Sequence, residues 1–438
     1  MLETPERIRE LQKKLYQKAK QEKRFRFYAL YDKVYRADIL SHAYRLVKAN
    51  KGAPGVDGVT FEAIEGMEGG EERYLEAIAE DLKRKRYKAM PVRRIHIPKP
   101  DGGKRPLGIP TIKDRTVQMA IKIVIEPIFE ADFQENSYGF RPKKNARQAM
   151  DDVSVHLRKG KTQVIEADIE KYFDTISHDK LLSLVAKRIV DKNILRLIKM
   201  WLKAPVVEEG EDGKKHYKDS DKGTPQGGVI SPLLANIYLN VLDKTWKLKR
   251  VQERFGARLV RYADDFVVLC EGNTKRVLKG IEAVLGYLEL KLNEEKTAVV
   301  NTREESFDFL GFTVRLTRSQ RTGREFAFIR PSKQAMQHIR DEIRDLTCRK
   351  NLALPKEDVI KMLNYKIRGW TEYFRYGHCT KELSALKWYI EERMKIYLRR
   401  KQQRKNRSYN RYSYSYLYGE LGLYKIPTTA PWTQTAKA

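Results

Sequence analysis

The tetrapeptide Tyr262-Ala263-Asp264-Asp265 lies between two apolar runs, residues 257–260 and 266–270. That pattern predicts strand, tight turn, strand, with two adjacent carboxylates held at the turn. Upstream, Asp168 ends another apolar run (residues 162–167) and opens Asp168-Ile169-Glu170-Lys171-Tyr172-Phe173-Asp174. Three carboxylates projected from neighbouring strands can hold two hard divalent cations about 4 Å apart, the clamp of in-line nucleotidyl transfer. Cations held there lower the pKa of an attacking 3′-hydroxyl and stabilise a leaving pyrophosphate. An Asp-Asp pair in a hairpin is by itself often a solvated turn. In this order the two segments point to a nucleic-acid polymerase, with Asp168 and Asp264 as primary metal ligands and Asp265 as the third carboxylate. Asp174 is the weaker candidate, because a carboxylate there also suits the cap of a helix beginning near Ser177.

Several elements must position these residues. The spacing of Ile8, Leu11 and Leu15 predicts a basic helix within residues 1–36, either a solvated surface helix or one that touches template. A helix over residues 39–50 runs into the dense turn signal Lys51-Gly52-Ala53-Pro54-Gly55-Val56-Asp57-Gly58. Residues 71–90 read as helix and 91–98 as a strand, and Asp101-Gly102-Gly103 is a hairpin turn. Helices are expected over 115–129 and 181–201, with a charged loop or hairpin over 208–222. Ser231-Pro232 is a helix start. A composition shift near Arg330-Pro331 suggests a domain boundary, after which Met336, Ile339, Ile343 and Leu346 fall on one helical face. Arg399, Arg400, Lys401, Arg404, Lys405, Arg407 and Arg411 then lead into Tyr409, Tyr412, Tyr414, Tyr416 and Tyr418. Such interleaving can grip phosphates and stack on bases, although a charge run is more often only a solvated face.

Lys and Arg number 88 against 58 Asp and Glu in 438 residues, a net charge of +30, while the composition stays that of a folded protein. So much positive charge on a globular chain implies a polyanionic partner. No apolar run is long enough to span a bilayer, no signal peptide or lipidation motif is visible, and a soluble intracellular protein is expected. Cys270, Cys348 and Cys379 stand far apart, which argues against a zinc site or a disulfide framework.

Over roughly residues 38–400 the chain resembles the reverse transcriptases (maturases) of bacterial mobile group II introns. The likeness rests on ordered blocks. They begin with residues 52–58, Ile97-Pro98-Lys99-Pro100 through Leu107-Gly108-Ile109-Pro110, and Ser137-Tyr138-Gly139-Phe140-Arg141-Pro142. The Asp168 block, Gly223-Thr224-Pro225-Gln226-Gly227-Gly228 and the Tyr-Ala-Asp-Asp box follow. Leu292-Asn293-Glu294-Glu295-Lys296-Thr297, Phe309-Leu310-Gly311-Phe312 and Ile367-Arg368-Gly369-Trp370-Thr371-Glu372-Tyr373-Phe374 complete the set.

The resemblance implies an α+β right-hand polymerase, with fingers and a palm of antiparallel sheet and helices, followed by an α-helical thumb or maturase domain. It divides the chain into a basic N-terminal extension (1–37), fingers and palm (38–331), thumb (332–400), and a short basic, Tyr-rich tail (401–438), at most a remnant of a DNA-binding domain. The palm would carry Asp168, Asp264 and Asp265, with the Ile169 carbonyl completing a site for two Mg2+ ions that Mn2+ can replace. Lys99 and Arg105 match positions that grip the incoming triphosphate. Phe173, alone readable as a core aromatic, matches the steric gate against a 2′-hydroxyl, and Gln226 lines the nucleotide pocket. Lys296 either protonates the departing pyrophosphate or merely neutralises it. Ala263 leaves room for the primer terminus, Gly311 lies in the primer-grip hairpin, and Arg141 is assigned to primer and template. Arg399, Arg400, Lys401, Arg404 and Lys405 are the expected RNA-binding tail. The implied partners are an RNA template, a DNA or RNA primer, dNTPs, the parent intron RNA and, further out, target DNA, in the bacterial cytoplasm and with no membrane. No Cys pair follows residue 398, so an endonuclease module is not expected. Two other readings are a domesticated relative in host or phage defence, and an RNA-binding splicing maturase with little polymerase activity.

Overall fold

A computed structural model describes residues 2–98, 103–210, 214–403 and 411–430. Lys99, Asp101, Gly102, Arg404, Lys405, Arg407 and Tyr409 therefore lie outside the described residues. The chain forms two compact units. One comprises Met1–Ala149, Ala167–Val268 and Gly272–Ala298, and the other Met150–Glu166, Leu269–Glu271 and Val299–Ala438. Among the described residues no helix is long and apolar enough to cross a membrane.

Eleven strands occur among the described residues: β1 (Val92–Pro98), β2 (Lys104–Ile109), β3 (Gln163–Ala167), β4 (Val206–Glu209), β5 (Lys215–Lys218), β6 (Arg258–Tyr262), β7 (Asp265–Cys270), β8 (Ala298–Asn301), β9 (Phe307–Phe309), β10 (Phe312–Arg318) and β11 (Glu325–Pro331). They form sheets in the orders β2-β1-β4-β5, β6-β7-β3-β8 and β11-β10-β9. β1 and β2 are antiparallel from Arg93↔Ile109 to Pro98↔Lys104, the register expected of a hairpin closed at residues 101–103. β4 adds parallel to β1 and antiparallel to β5, so the segment expected as a loop or hairpin is a hairpin continuing this sheet.

In the first unit the helix Ile112–Glu130 is buried on most of its faces and starts at Thr111, whose hydroxyl accepts the Asp114 N–H at 3.1 Å. The basic helix Glu6–Gln21 belongs to the same unit. Gln12 Nε2 donates to the Ile123 carbonyl (3.1 Å), and Arg188 Nη2 closes the helix end by donating to the Ala19 carbonyl (2.7 Å). Residues 1–37 are thus integral to this unit, not an appended extension. The helix expected over 181–201 is two helices, His178–Ala186 and Lys192–Leu202. Asp191 caps the second helix, accepting the Asn193 N–H at 3.0 Å, and the break is also held from afar. Phe27 donates to the Arg188 carbonyl (2.7 Å) and accepts from Val190 (2.8 Å), while the Asp191 carboxylate accepts the N–H groups of Leu30 and Tyr31, both at 2.9 Å.

In the second unit β9 and β10 form a hairpin through Leu310 and Gly311, which have φ of +52° and +77°, the left-handed pair of a type I′ turn. Ser332 caps the helix Lys333–Leu346, so an element does begin where the composition shifts. The last continuous stretch of this unit starts earlier, at Val299. Phe312 stacks on Tyr373 (5.7 Å between centroids) and packs on Phe374 (5.1 Å), which ties the β9–β11 sheet to the helix Lys356–Phe374.

The tail expectation needs correction. Tyr412, Leu417, Leu423, Ile426 and Ala430 are buried in one cluster with Ile339, Ile343, Leu363, Leu386 and Tyr397. Asn364 clamps the segment by donating to the Gly422 carbonyl and accepting from the Tyr424 N–H, both at 2.7 Å. Apolar residues between the basic ones make this stretch part of the helical core rather than a separate tail. Tyr412, Tyr416 and Tyr418 are spent on packing, and among the described tyrosines of this stretch only Tyr414 has about half its surface exposed.

Candidate active site

β6 and β7 deliver the Tyr262-Ala263-Asp264-Asp265 turn as the flanking apolar runs predict. Ala263 is buried with φ +60°, a left-handed conformation rare outside glycine and frequent at functional turns. Gly139 lies directly against it, and a Cβ there would stand 2.3 Å from the Ala263 nitrogen. Arg261, at the end of β6, donates from Nη1 to the Ala263 carbonyl at 2.8 Å.

Asp168 follows β3. Its carbonyl accepts the Asn293 N–H (2.8 Å), and Glu170 donates to the Lys291 carbonyl (3.0 Å), so the Leu292–Lys296 loop is laced along the Asp168 strand. Lys296 Nζ stands 3.6 Å from Asp168 Oδ2, with its own side chain largely in solvent. The same lacing leaves the Ile169 carbonyl out of these two bonds.

The three carboxylates feel one another. Burial first, then Asp168, raises the Asp264 pKa, and Arg105 and Arg261 oppose the rise. Asp265 opens to solvent at its rim, yet crowding by protein atoms, then Asp264 and Asp168, pushes its carboxyl from 3.8 up to about 6. Among the described residues no three His, Cys, Asp or Glu side chains are gathered closely enough to chelate an ion as they stand. The donor set nevertheless fits a hard divalent cation: oxygen ligands only, with a mutual repulsion that a bound positive charge would relieve.

A stability effect follows. A carboxyl with a raised folded-state pKa weakens the fold once pH exceeds its unfolded value. At pH 7, Asp265→Asn should raise the metal-free melting temperature by a few degrees. The gain should shrink between pH of about 6 and about 4 and be absent below. Melts of both proteins across that range check it, and a lower melting temperature at pH 7 would refute it.

On the nucleotide side, Arg105 is exposed on β2 and close enough to act on Asp264. Phe173 is half-buried, edge-on to Tyr172 at 5.4 Å, and its carbonyl accepts the Thr224 N–H at 2.7 Å. Gln226 is half-buried, and its carbonyl accepts the Gly108 N–H at 2.6 Å, which joins the Thr-Pro-Gln-Gly segment to β2. Asp174 makes no cap. It lies in the short helix Tyr172–Thr175, and no side chain caps the helix that Ser177 precedes.

Two expected nucleic-acid contacts are corrected. The Arg141 guanidinium is 5% exposed. It forks onto Glu130 (Nη2 to Oε1, 2.5 Å) and donates to the carbonyls of Gln134 and Ser137, so it braces its own loop instead of facing primer or template. Lys401 Nζ donates to the Leu352 and Leu354 carbonyls at 2.7 and 2.6 Å. Arg399 and Arg400, at the end of the helix Thr380–Lys401, are half-buried. Gly311 belongs to the second unit's hairpin described above.

The residues missed from sequence are Asn236, Asp243 and Arg261. Asn236, Asn240 and Asp243 stand at i, i+4 and i+7 on the largely buried helix Ser231–Leu248, and all three are buried. A polar stripe facing inward is the signal that could have found them.

A family model described as reverse transcriptase (RNA-dependent DNA polymerase) matches residues 97–314, and one for the group II intron maturase-specific domain matches residues 336–415. The chain is 34% identical over 350 residues to Protein YkfC of Escherichia coli (strain K12), covering 72% of this chain and 90% of that protein. It is 28% identical over 450 residues to the group II intron-encoded protein LtrA of Lactococcus lactis subsp. cremoris, covering 83% and 73%. An uncharacterized 91 kDa protein in the cob intron of Schizosaccharomyces pombe is 28% identical over 411 residues, covering 78% and 50%.

Proposed function

The chain belongs to the reverse transcriptases that carry a group II intron maturase-specific domain, and from that membership we propose how its residues divide the work. It is an RNA-directed DNA polymerase that acts in group II intron splicing and mobility. The observation that carries the assignment of the site is the electrostatic coupling of Asp264 and Asp265 to Asp168 within one compact unit. Asp168, Asp264, Asp265 and the Ile169 carbonyl would hold two magnesium ions, and the chemistry these supply is activation of the primer 3′-hydroxyl and neutralisation of the leaving pyrophosphate. Arg105, with Lys99, grips the triphosphate of an incoming dNTP by charge. Lys296 adds positive charge on the Asp168 side of the site, where the pyrophosphate departs. Phe173 sits under the sugar, Gln226 lines the pocket, and the small Ala263 side chain leaves room for the primer end.

Extension of a DNA or RNA primer on an RNA template with dNTPs and Mg2+ tests this reading. Full-length cDNA is expected, chelation should stop it, and Mn2+ should restore it. Synthesis that persists after chelation would refute the metal assignment.

The +30 charge supports broad phosphate contact with template, intron RNA and target DNA. At the end of the helix Thr380–Lys401, Arg399 and Arg400 are the proposed contacts. Neutralising both should reduce the slope of log K against log salt by about 1.4 for single-stranded RNA. Lys401→Ala should instead lower the melting temperature and leave the slope alone, because its ammonium is committed to two carbonyls. Binding isotherms at several salt concentrations separate these outcomes.

A further inference from the structure

The turn that presents Asp264 and Asp265 is held from behind by a charge pair whose two side chains, Arg261 and Asp243, are both 0% exposed. Arg261 Nε and Nη2 fork onto the Asp243 carboxylate at 3.1 and 2.5 Å. Its Nη1 bridges the Ala263 carbonyl (2.8 Å) and Asn236 Oδ1 (3.0 Å). Asn236 Nδ2 in turn donates to the carbonyl of Gly139, the residue pressed against Ala263 (2.8 Å). The main chain of Arg261 is fixed as well, donating to Asn136 and accepting from Tyr138, both at 2.8 Å. Asn136 Nδ2 closes the ring on Asp243 Oδ1 at 2.8 Å.

A buried ion pair is weak evidence for stability, since apolar replacement of both partners is often neutral or stabilising. A guanidinium fork supplies direction instead. It fixes three partners in one plane, which a lysine ammonium cannot do. Here one of those partners is the backbone of the residue just before Asp264.

We propose that Arg261, with Asp243, Asn236 and Gly139, is the positioning apparatus of the catalytic turn, setting the placement of Asp264 and Asp265 and hence the rate of nucleotidyl transfer rather than substrate affinity. The inference rests on the assignment of those two carboxylates proposed above. It also gives the Ser137–Arg141 stretch a task, since Ser137 and Tyr138 bridge Arg261 and Gly139 abuts the turn.

The test uses the full chain. Three variants are compared with wild type: Arg261→Lys, the paired Arg261→Met/Asp243→Leu, and Gly139→Ala. The pair leaves no unpartnered buried charge, and Gly139→Ala touches no charge at all. A misplacement of about 1 Å costs on the order of 10²-fold in rate. The expected result is a burst rate of nucleotide addition lowered about 10²-fold. Burst amplitude, KM for dNTP and affinity for primer–template should all stay at wild-type level. In metal-free protein, amide hydrogen exchange over Tyr262–Asp265 should quicken while the remainder of the unit keeps its protection. Arg261→Lys should keep the fold, with some loss of melting temperature, without recovering the rate, because charge alone does not restore the fork.

A wild-type burst rate in the paired variant overturns the proposal, as does a loss confined to burst amplitude, the mark of a purely structural role. If the paired variant does not fold, Gly139→Ala decides by the same two criteria. Asp264→Asn run alongside separates the two levels. An active Asp264→Asn refutes the carboxylate assignment itself. An inactive one beside wild-type rates in the three variants refutes only the positioning role.

Discussion

Asp264→Asn is expected to lower single-nucleotide addition by about 10³-fold or more while the protein folds and binds RNA as before. The substitution is isosteric, so the Ala263 conformation and the Arg261 contact to its carbonyl should persist. It removes a negative charge that the fold tolerates poorly, since burial and Asp168 already raise the Asp264 pKa. Loss of activity through unfolding is therefore not expected, and the metal-free melting temperature at pH 7 should stay the same or rise. Single-turnover extension at saturating primer–template and dNTP, beside an RNA-binding isotherm, measures both halves. A rate within about tenfold of wild type would mean that the metal site has been misassigned.

Phe173→Ala should raise ribonucleotide incorporation relative to deoxyribonucleotide by about 10²-fold, the range that a single filled or emptied volume in a pocket can supply. The structure supports a gate more than a core role. The ring is only half-buried, it packs edge-on to Tyr172, and its carbonyl is bonded to Thr224 beside Gln226. A core phenylalanine truncated to alanine would cost several kcal/mol of stability, about 3–5. A gate should cost much less and keep its dependence on divalent cation. The ratio of kcat/KM for matched dNTP and NTP gives the answer, read beside a thermal melt. Unchanged sugar preference with a large fall in melting temperature would return Phe173 to the core.

The strands around the Tyr262–Asp265 turn were legible because their patterning is local. Apolar runs on either side of Tyr262–Asp265 and before Asp168 need no knowledge of the remaining chain. The same holds for the helical face formed by Met336, Ile339 and Ile343. What escaped depends on partners far away in sequence. Between residues 181 and 201 only Asp191, the N-cap of the second helix, marks a break locally, and the rest of it answers to Phe27, Leu30 and Tyr31. Arg141, Arg261 and Lys401 look alike in a sequence, as cations on a basic chain. Only their acceptors, Glu130, Asp243 and the Leu352 and Leu354 carbonyls, show that they are internal braces. The tyrosine-rich end misled for the opposite reason. Its charge pattern is conspicuous, while its sparse apolar residues, Leu417, Leu423 and Ile426, acquire meaning only once a core exists to receive them.

The contact between Gly139 and Ala263 also bears on how such a polymerase can be rebuilt. Residues 124 positions apart share one van der Waals boundary, so neither can gain bulk unless the other yields. Transplanting the four-residue box alone into another scaffold would import its carboxylates without the surface that shapes them. On the positioning role proposed above, the portable unit of the turn is discontinuous, comprising the 136–141 loop, the Asn236-to-Asp243 stripe and the β6–β7 hairpin. Recombination between diverged relatives would have to place its crossovers so that all three come from one parent.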